Sequence, residues 1–331
     1  MITEARAYAR AGLLGNPSDG YFGKTISISV RNFGARVSLY ETPELRIEPQ
    51  QQDINCFKNI YHLVESVKST GYYGGTRLIK AAIRKFCEYC EQNGLRLSHR
   101  NFTIRYNSTI PRQIGLAGSS AIITATLRAL KQFYEVEIPK EIFPNITLAA
   151  ETEELGINAG LQDRVIQAYG GCVYMDFDKA NMDRDGHGKY ERLDVEKLPN
   201  LYIAYKTNLG KVSGVVLNDL KTRYERGDIE VLESLARIEA IAEEGRKAII
   251  AGKTGKLHAL TNENFDLRSK IMNISESNRE LVQTARKCGA SAKFSGSGGS
   301  IIGIYEDNDM LTRLIVELKK INARVIKPYI V

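Results

Sequence analysis

Residues 115–130 read GLAGSSAIITATLRAL: a turn carrying Gly115 and Gly118, then Ser119 and Ser120 at the entrance of an apolar helix. Glycine permits left-handed backbone and close approach. The first N–H groups of a helix have no intrahelical partner, and the helix dipole favours negative charge there. Gly115, Leu116, Ala117, Gly118 and Ser119 can therefore present bare amides to an anion such as phosphate. A hydroxyl at Ser120 can also reach a metal ion. The same residues describe an ordinary serine-capped helix after a tight turn, so the stretch alone leaves both readings open.

Three further stretches carry chemistry. In ARAGLLGNPSDGYFGKT, 9–25, a strand brings in Arg10 and ends at Gly15; the polar turn Asn16-Pro17-Ser18-Asp19 is suited to gripping hydroxyls, although taken by itself it reads first as a plain strand-connecting turn. In AAETEELGINAGLQDRVIQAYGG, 149–171, Glu151 closes one helix and Asp163 opens the next. One carboxylate can hold a magnesium ion while the other faces a substrate hydroxyl, and two surface acids remain the plainer alternative. In KFSGSGGS, 293–300, Gly296, Ser297, Gly298 and Gly299 strip the backbone of bulk, and a flexible turn is the plainer alternative.

Three familiar patterns nearly appear and fail. Gly252-Lys253-Thr254 lacks the earlier glycine of a P-loop, since position 247 is lysine. Gly296 and Gly298 begin a dinucleotide fingerprint, but Ile301 stands where the third glycine belongs. Cys87 and Cys90 have no second pair to complete a zinc site. They are expected to pack on an amphipathic helix.

The elements that must position these residues alternate irregularly, which predicts an α+β fold. Residues 24–41 read as strand, turn, strand, broken at Asn32-Phe33-Gly34. Helices are expected over 57–68 and 76–92, split by GYYGG at 71–75, with Tyr72-Tyr73 a candidate adenine wall. A strand over 101–111 precedes the glycine turn. A helix over roughly 140–155, a short helix ending at Gly170-Gly171 and the strand CVYMDFD follow. Residues 178–190 read as a surface hairpin or linker near a domain boundary. Strand 201–207, long charged helices over roughly 213–250 and 255–288, the second glycine cluster, and a last helix and strand complete the chain.

Composition narrows the class. Apolar residues make up 43% and charged residues 26% of 331, ordinary for a globular chain. No apolar run approaches the ~18 residues of a membrane span, and no signal peptide is expected. Five cysteines, an odd number, fit a reducing, cytoplasmic compartment rather than a disulfide scaffold. The net charge of +7 is spread among 39 acidic residues without a basic block, so no nucleic-acid partner is expected.

The set and its order resemble the GHMP kinases, whose pattern is an N-terminal strand motif, a central P-x-x-x-G-L-x-S-S-A loop and a C-terminal glycine-rich loop. Here these are ARAGLLGNPSD, PRQIGLAGSSA and KFSGSGGS. The resemblance implies two domains, 1–190 with the phosphate loop and 191–331 with a ferredoxin-like α/β arrangement. It implies ATP and Mg2+ as cofactors, a small-molecule sugar or sugar acid as acceptor, and a monomer or homodimer. Asp163 would be the catalytic base or orienter and Arg10 the catalytic cation. Gly115–Ser119 and Gly296–Gly299 would wrap the ATP phosphates, and Ser120 and Glu151 would hold magnesium. Within the superfamily the wording is similar to the glucuronokinases, which phosphorylate glucuronate at C1. Asp19 would then hold the sugar, and Arg112 and Arg164 its carboxylate. A heptose kinase and a non-catalytic binding protein on the same fold are the alternatives.

Overall fold

A computed structural model describes residues 1–49, 74–207 and 215–331, with side chains for all of these but 215–219. The expected helix over 57–68 and the Tyr72-Tyr73 wall lie outside the described residues. In chain order the first elements are β1 (Ile2–Leu14), β2 (Lys24–Thr42), β3 (Arg46–Ile47), α1 (Gly75–Gln92), β4 (Asn101–Ser108), α2 (Gly118–Phe133), α3 (Phe143–Thr152) and α4 (Gln162–Tyr169). β5 (Cys172–Asp176), α5 (Lys179–Asp185), β6 (Lys189–Leu193), β7 (Leu201–Lys206), α6 (Val215–Glu225) and α7 (Ile229–Ile250) follow. The last are α8 (Leu257–Ile271), α9 (Glu276–Lys287), β8 (Lys293–Phe294), β9 (Ser300–Ile304), α10 (Asn308–Lys320) and β10 (Ala323–Ile326).

The chain forms two compact units that interleave along the sequence. One comprises Met1–Tyr8, Phe33–Ile110 and Gly118–Ala159; the other comprises Ala9–Asn32, Pro111–Ala117 and Gly160–Val331. Both take residues from β1 and β2.

In the first unit, β2 pairs antiparallel with β4 from Ala35↔Ser108 to Thr42↔Asn101, and β3 runs parallel to β4. Helices α1, α2 and α3 pack on one another. Leu78, Ile79, Ala82 and Phe86 recur at helical spacing on the buried face of α1. Phe102 meets Phe133 edge to face, centroids 5.4 Å apart.

In the second unit, Lys24–Ile28 of β2 pair antiparallel with β5, and β5 with β6. A separate antiparallel sheet has the order β10-β7-β9-β8, the ferredoxin-like order expected for the C-terminal part. One face of α8 buries Leu257, Leu260, Thr261, Asn264, Phe265, Arg268 and Ile271, the i, i+3, i+4, i+7 stripe of a core helix that here includes polar members.

Three local expectations are corrected. Residues 24–42 form one strand without a turn at 32–34. The ladder simply continues: Gly34 O accepts from Thr109 N at 3.0 Å, and Ala35 already pairs with Ser108. Residues 178–190 are not a linker. Asp178 accepts from Asn181 N and caps α5, and β6 follows. The two long helices are four. Asp228 caps α7 and separates it from α6, and extended residues around Met272 separate α8 from α9.

Candidate active site

Within the second unit, β1 carries Arg10 into the interior, where it is 5% exposed. Its guanidinium meets Asp163 through two parallel bonds, Nε to Oδ1 and Nη2 to Oδ2 (2.8 Å). Nη1 donates to Gly115 O (2.7 Å) and Ser295 O (2.9 Å). One arginine therefore ties the acid to the first and the last glycine segments. The planar fork of arginine makes this possible; a lysine presents no matching pair of donors.

Asp163 lies in the first turn of α4, where the helix dipole favours a carboxylate. Burial opposes its charge. The Arg10 and Arg164 cations and the Arg10 hydrogen bond outweigh burial and hold the carboxyl below its ordinary range. Arg164 Nη1 donates to Gly160 O at 2.7 Å and lies 3.3 Å from Asp163 Oδ2. Asp19, in a single 3-10 turn, accepts from Gln162 Nε2 at 3.2 Å; Gln162 Oε1 in turn accepts from Ser27 Oγ. Burial, then the nearby Asp163 charge, push Asp19 up to about 6.

The loop before α2 has an unusual backbone. Gln113, Gly115 and Ala117 have φ of 58°, 68° and 60°, so left-handed residues alternate with ordinary ones. Where a left-handed residue follows a right-handed helical one, successive N–H groups turn to one side and make a concavity suited to an anion. Two of the three are not glycine, a local strain of the kind that collects at functional sites. Gln167 Nε2 fixes Ala117 O at 2.9 Å, and Arg10 N donates to Leu116 O at 3.3 Å.

The last glycine segment lies against this loop, backbone to backbone. A Cβ on Gly296 would sit 2.3 Å from Gly115 O and 2.5 Å from Arg10 Nη1. A Cβ on Gly115 would sit 2.7 Å from Gly298 O. Ser300 Oγ donates to Ile114 O at 2.5 Å, and Asn278 Oδ1 accepts from Gly299 N at 2.9 Å.

Within the first unit, Ser119 Oγ donates to Glu151 Oε1 at 2.6 Å at the opening of α2. Glu151 and Ser120 are both fully buried. A hydroxyl and a carboxylate are hard oxygen donors, which suit magnesium.

The family pattern "GHMP kinases N terminal domain" matches residues 77–171, and "GHMP kinases C terminal" matches residues 246–322. Glucuronokinase 1 of Arabidopsis thaliana is 43% identical over 320 residues, 95% of this chain and 88% of that protein. The chain belongs to the GHMP kinases. Probable glucuronokinase 2 of the same plant is 42% identical over 334 residues, 99% of this chain and 91% of that protein. Among solved structures, the galactokinase of Lactococcus lactis complexed with galactose has the same fold, with a TM-score of 0.77 at 16% identity, covering 99% of this chain and 93% of that one. The protein is thus a kinase, a phosphotransferase of this family.

The described part of this GHMP kinase gathers Arg10, Asp163, Arg164, Asp19, Gly115–Ala117 and Gly296–Gly299 in one unit. Arg112 is exposed on the loop. Sequence reading missed three buried polar residues of the same unit. Asn264 accepts from Gly15 N (2.8 Å) and donates to Asn16 O (3.1 Å). Arg268 Nη1 donates to Gly296 O at 2.8 Å, with the guanidinium 5.1 Å from the Phe294 ring. Lys293 is 1% exposed on β8. The available signal was their position: Asn264 and Arg268 are four apart on the apolar stripe of α8, and Lys293 interrupts an apolar strand. Among the described residues, no helix is long and apolar enough to cross a membrane, and Cys87, Cys90, Cys172 and Cys288 are free thiols.

Proposed function

We propose that this GHMP kinase is a glucuronokinase, transferring the γ-phosphoryl of ATP to the C1 hydroxyl of D-glucuronate. The observation that carries the catalytic part is the Arg10–Asp163 pair, tied to both glycine segments. The acceptor follows from the kinship with glucuronokinases over nearly the whole chain.

The C1 oxygen attacks the γ-phosphorus as the bond to the β-phosphate oxygen breaks. ADP leaves, and the hydroxyl proton passes to Asp163 and then to water. A carboxylate held below its usual pKa is a weak base. It is well suited to orienting the hydroxyl and taking the proton late, as a loose phosphoryl transfer permits. Arg10 balances charge on the transferring group and keeps Asp163 aimed. The alternating loop at 113–117 and Gly296–Gly299 offer N–H groups to the phosphates. Ser120 and Glu151, with Ser119 beside them, would hold magnesium, which neutralises phosphate charge when bound. Arg112 and Arg164 are the carboxylate candidates, and Asp19 would accept from ring hydroxyls. The setting is a reducing cytoplasm, as a monomer or homodimer.

The test is magnesium-dependent ADP release with glucuronate, galacturonate, galactose, glucose and heptose 7-phosphate. Glucuronate is expected to give the highest kcat/KM. A higher value on a heptose phosphate or a neutral sugar would discard glucuronate and keep the kinase. Arg112→Met and Arg164→Met are expected to lower kcat/KM on glucuronate more than on glucose. Unchanged ratios in both variants would end their role as carboxylate ligands.

Asp19 sets a pH dependence. As a hydroxyl acceptor it must be charged, so kcat/KM for the sugar is expected to fall as pH drops through about 6, with the acid limb lost in Asp19→Asn. Because its folded pKa lies above its unfolded one, the folded chain holds this proton more tightly. Charging it therefore lowers stability as pH rises from 3.8 to about 6.

A further inference from the structure

Lys293 is a buried lysine that the mechanism above does not use. Its Nζ donates to Gly12 O (2.8 Å), to Phe294 O (2.9 Å) and to Asn16 Oδ1. All three partners are oxygen acceptors and none is a carboxylate. Three acceptors need three N–H groups, which only the ammonium form supplies; a neutral amine would leave one of them unpaired.

Those acceptors belong to the segment that carries Arg10. Gly12 N donates to Ser295 O at 2.7 Å. The same carbonyl receives Arg10 Nη1 at 2.9 Å. The ammonium thus grips the oxygen of Gly12 while the nitrogen of Gly12 grips the carbonyl on which Arg10 rests. Asn264 clamps the far side of the turn through Gly15 N and Asn16 O.

We infer that Lys293 is a positioning residue for phosphoryl transfer: a buried ammonium that fastens the Gly12–Asn16 turn to the last glycine segment and so holds Arg10 in register with Asp163. The kinetic part of this inference rests on the sugar-kinase reading; the fastening does not. Burial pushes the Lys293 ammonium well below the ordinary lysine value. Arg268 on α8 and Arg10 on β1 push it further, and Asp19 in the 3-10 turn acts the other way. Raising the pH therefore removes one N–H from the fastening before ordinary lysines titrate.

Lys293→Met in the full chain tests both parts. Amide hydrogen exchange over residues 11–17 is expected to quicken at least ~10-fold. kcat is expected to fall ~10²-fold, with KM for ATP and sugar held within about threefold, because misplacement acts on the transition state more than on binding. Asn16→Asp is nearly isosteric and covers the case in which Lys293→Met does not fold. It gives the ammonium a carboxylate partner, so the alkaline fall of kcat is expected to move up by about one pH unit or more. Unchanged exchange in Lys293→Met overturns the fastening whatever the sugar. Quickened exchange with an unchanged kcat overturns the positioning role, as does an unmoved alkaline limb in Asn16→Asp. If no sugar is phosphorylated while exchange quickens, the substrate reading falls and the fastening stands.

Discussion

Asp163→Asn is expected to lower kcat by ~10²–10⁴ while leaving ATP affinity within about threefold. The amide keeps the shape of the carboxylate and can still accept from one Arg10 nitrogen. It cannot take the hydroxyl proton, and it turns an NH2 group toward the second guanidinium nitrogen. Single-turnover kinetics and ATP titration of the same preparation separate the two effects. A kcat within tenfold of the parent would remove Asp163 from the proton path and leave it an anchor for Arg10. The position of Asp163 makes the larger loss the expectation: its carboxylate is kept charged by two arginines against the pull of burial.

Arg10→Met is expected to be nearly as damaging to rate and far more damaging to stability. The side chain is 6% exposed and its partner Asp163 14%, so the substitution leaves a buried carboxylate without its bidentate partner. Breaking such a pair from one side destabilises by about 3–5 kcal/mol. Gly115 O and Ser295 O lose their shared donor as well. A fall in kcat of at least ~10² is expected from the lost charge opposite the transferring group. Urea unfolding read beside kcat decides the matter. Arg10→Lys is the informative control, since it restores charge without the fork. Recovery of stability and rate by lysine would mean that charge alone matters and that the two-pronged geometry does not.

Much of the site was legible from residue types. Bare glycine stretches, serines at a helix entrance and an acid opening a short helix are local signals, because their chemistry depends on a few consecutive residues. The element boundaries that failed were those where local signals mislead. Asn32-Phe33-Gly34 looks like a turn, yet β4 continues to pair with β2 immediately after it. Residues 178–190 look like a linker because their apolar content is low, yet Asp178 caps a short helix there.

Lys293, Asn264 and Arg268 show what local reading cannot reach. Each is polar among apolar neighbours, which marks it as odd without naming a partner. Apart from Phe294, which neighbours Lys293, their partners lie far away in sequence: Gly12, Gly15, Asn16 and, for Arg268, Gly296.

The sequence by itself determined the family, the α+β class and the order of the chemical stretches, since these reside in residue identity and short spacing. Only the tertiary structure decided that Arg10 pairs with Asp163 across 153 positions, and that Gly296 must be glycine because Gly115 and Arg10 occupy the space of a side chain. It also supplied the alternating backbone of 113–117. These are consequences of packing. A hydrogen bond between distant segments, and the strain that a loop tolerates, are fixed by the completed core rather than by neighbours in the chain.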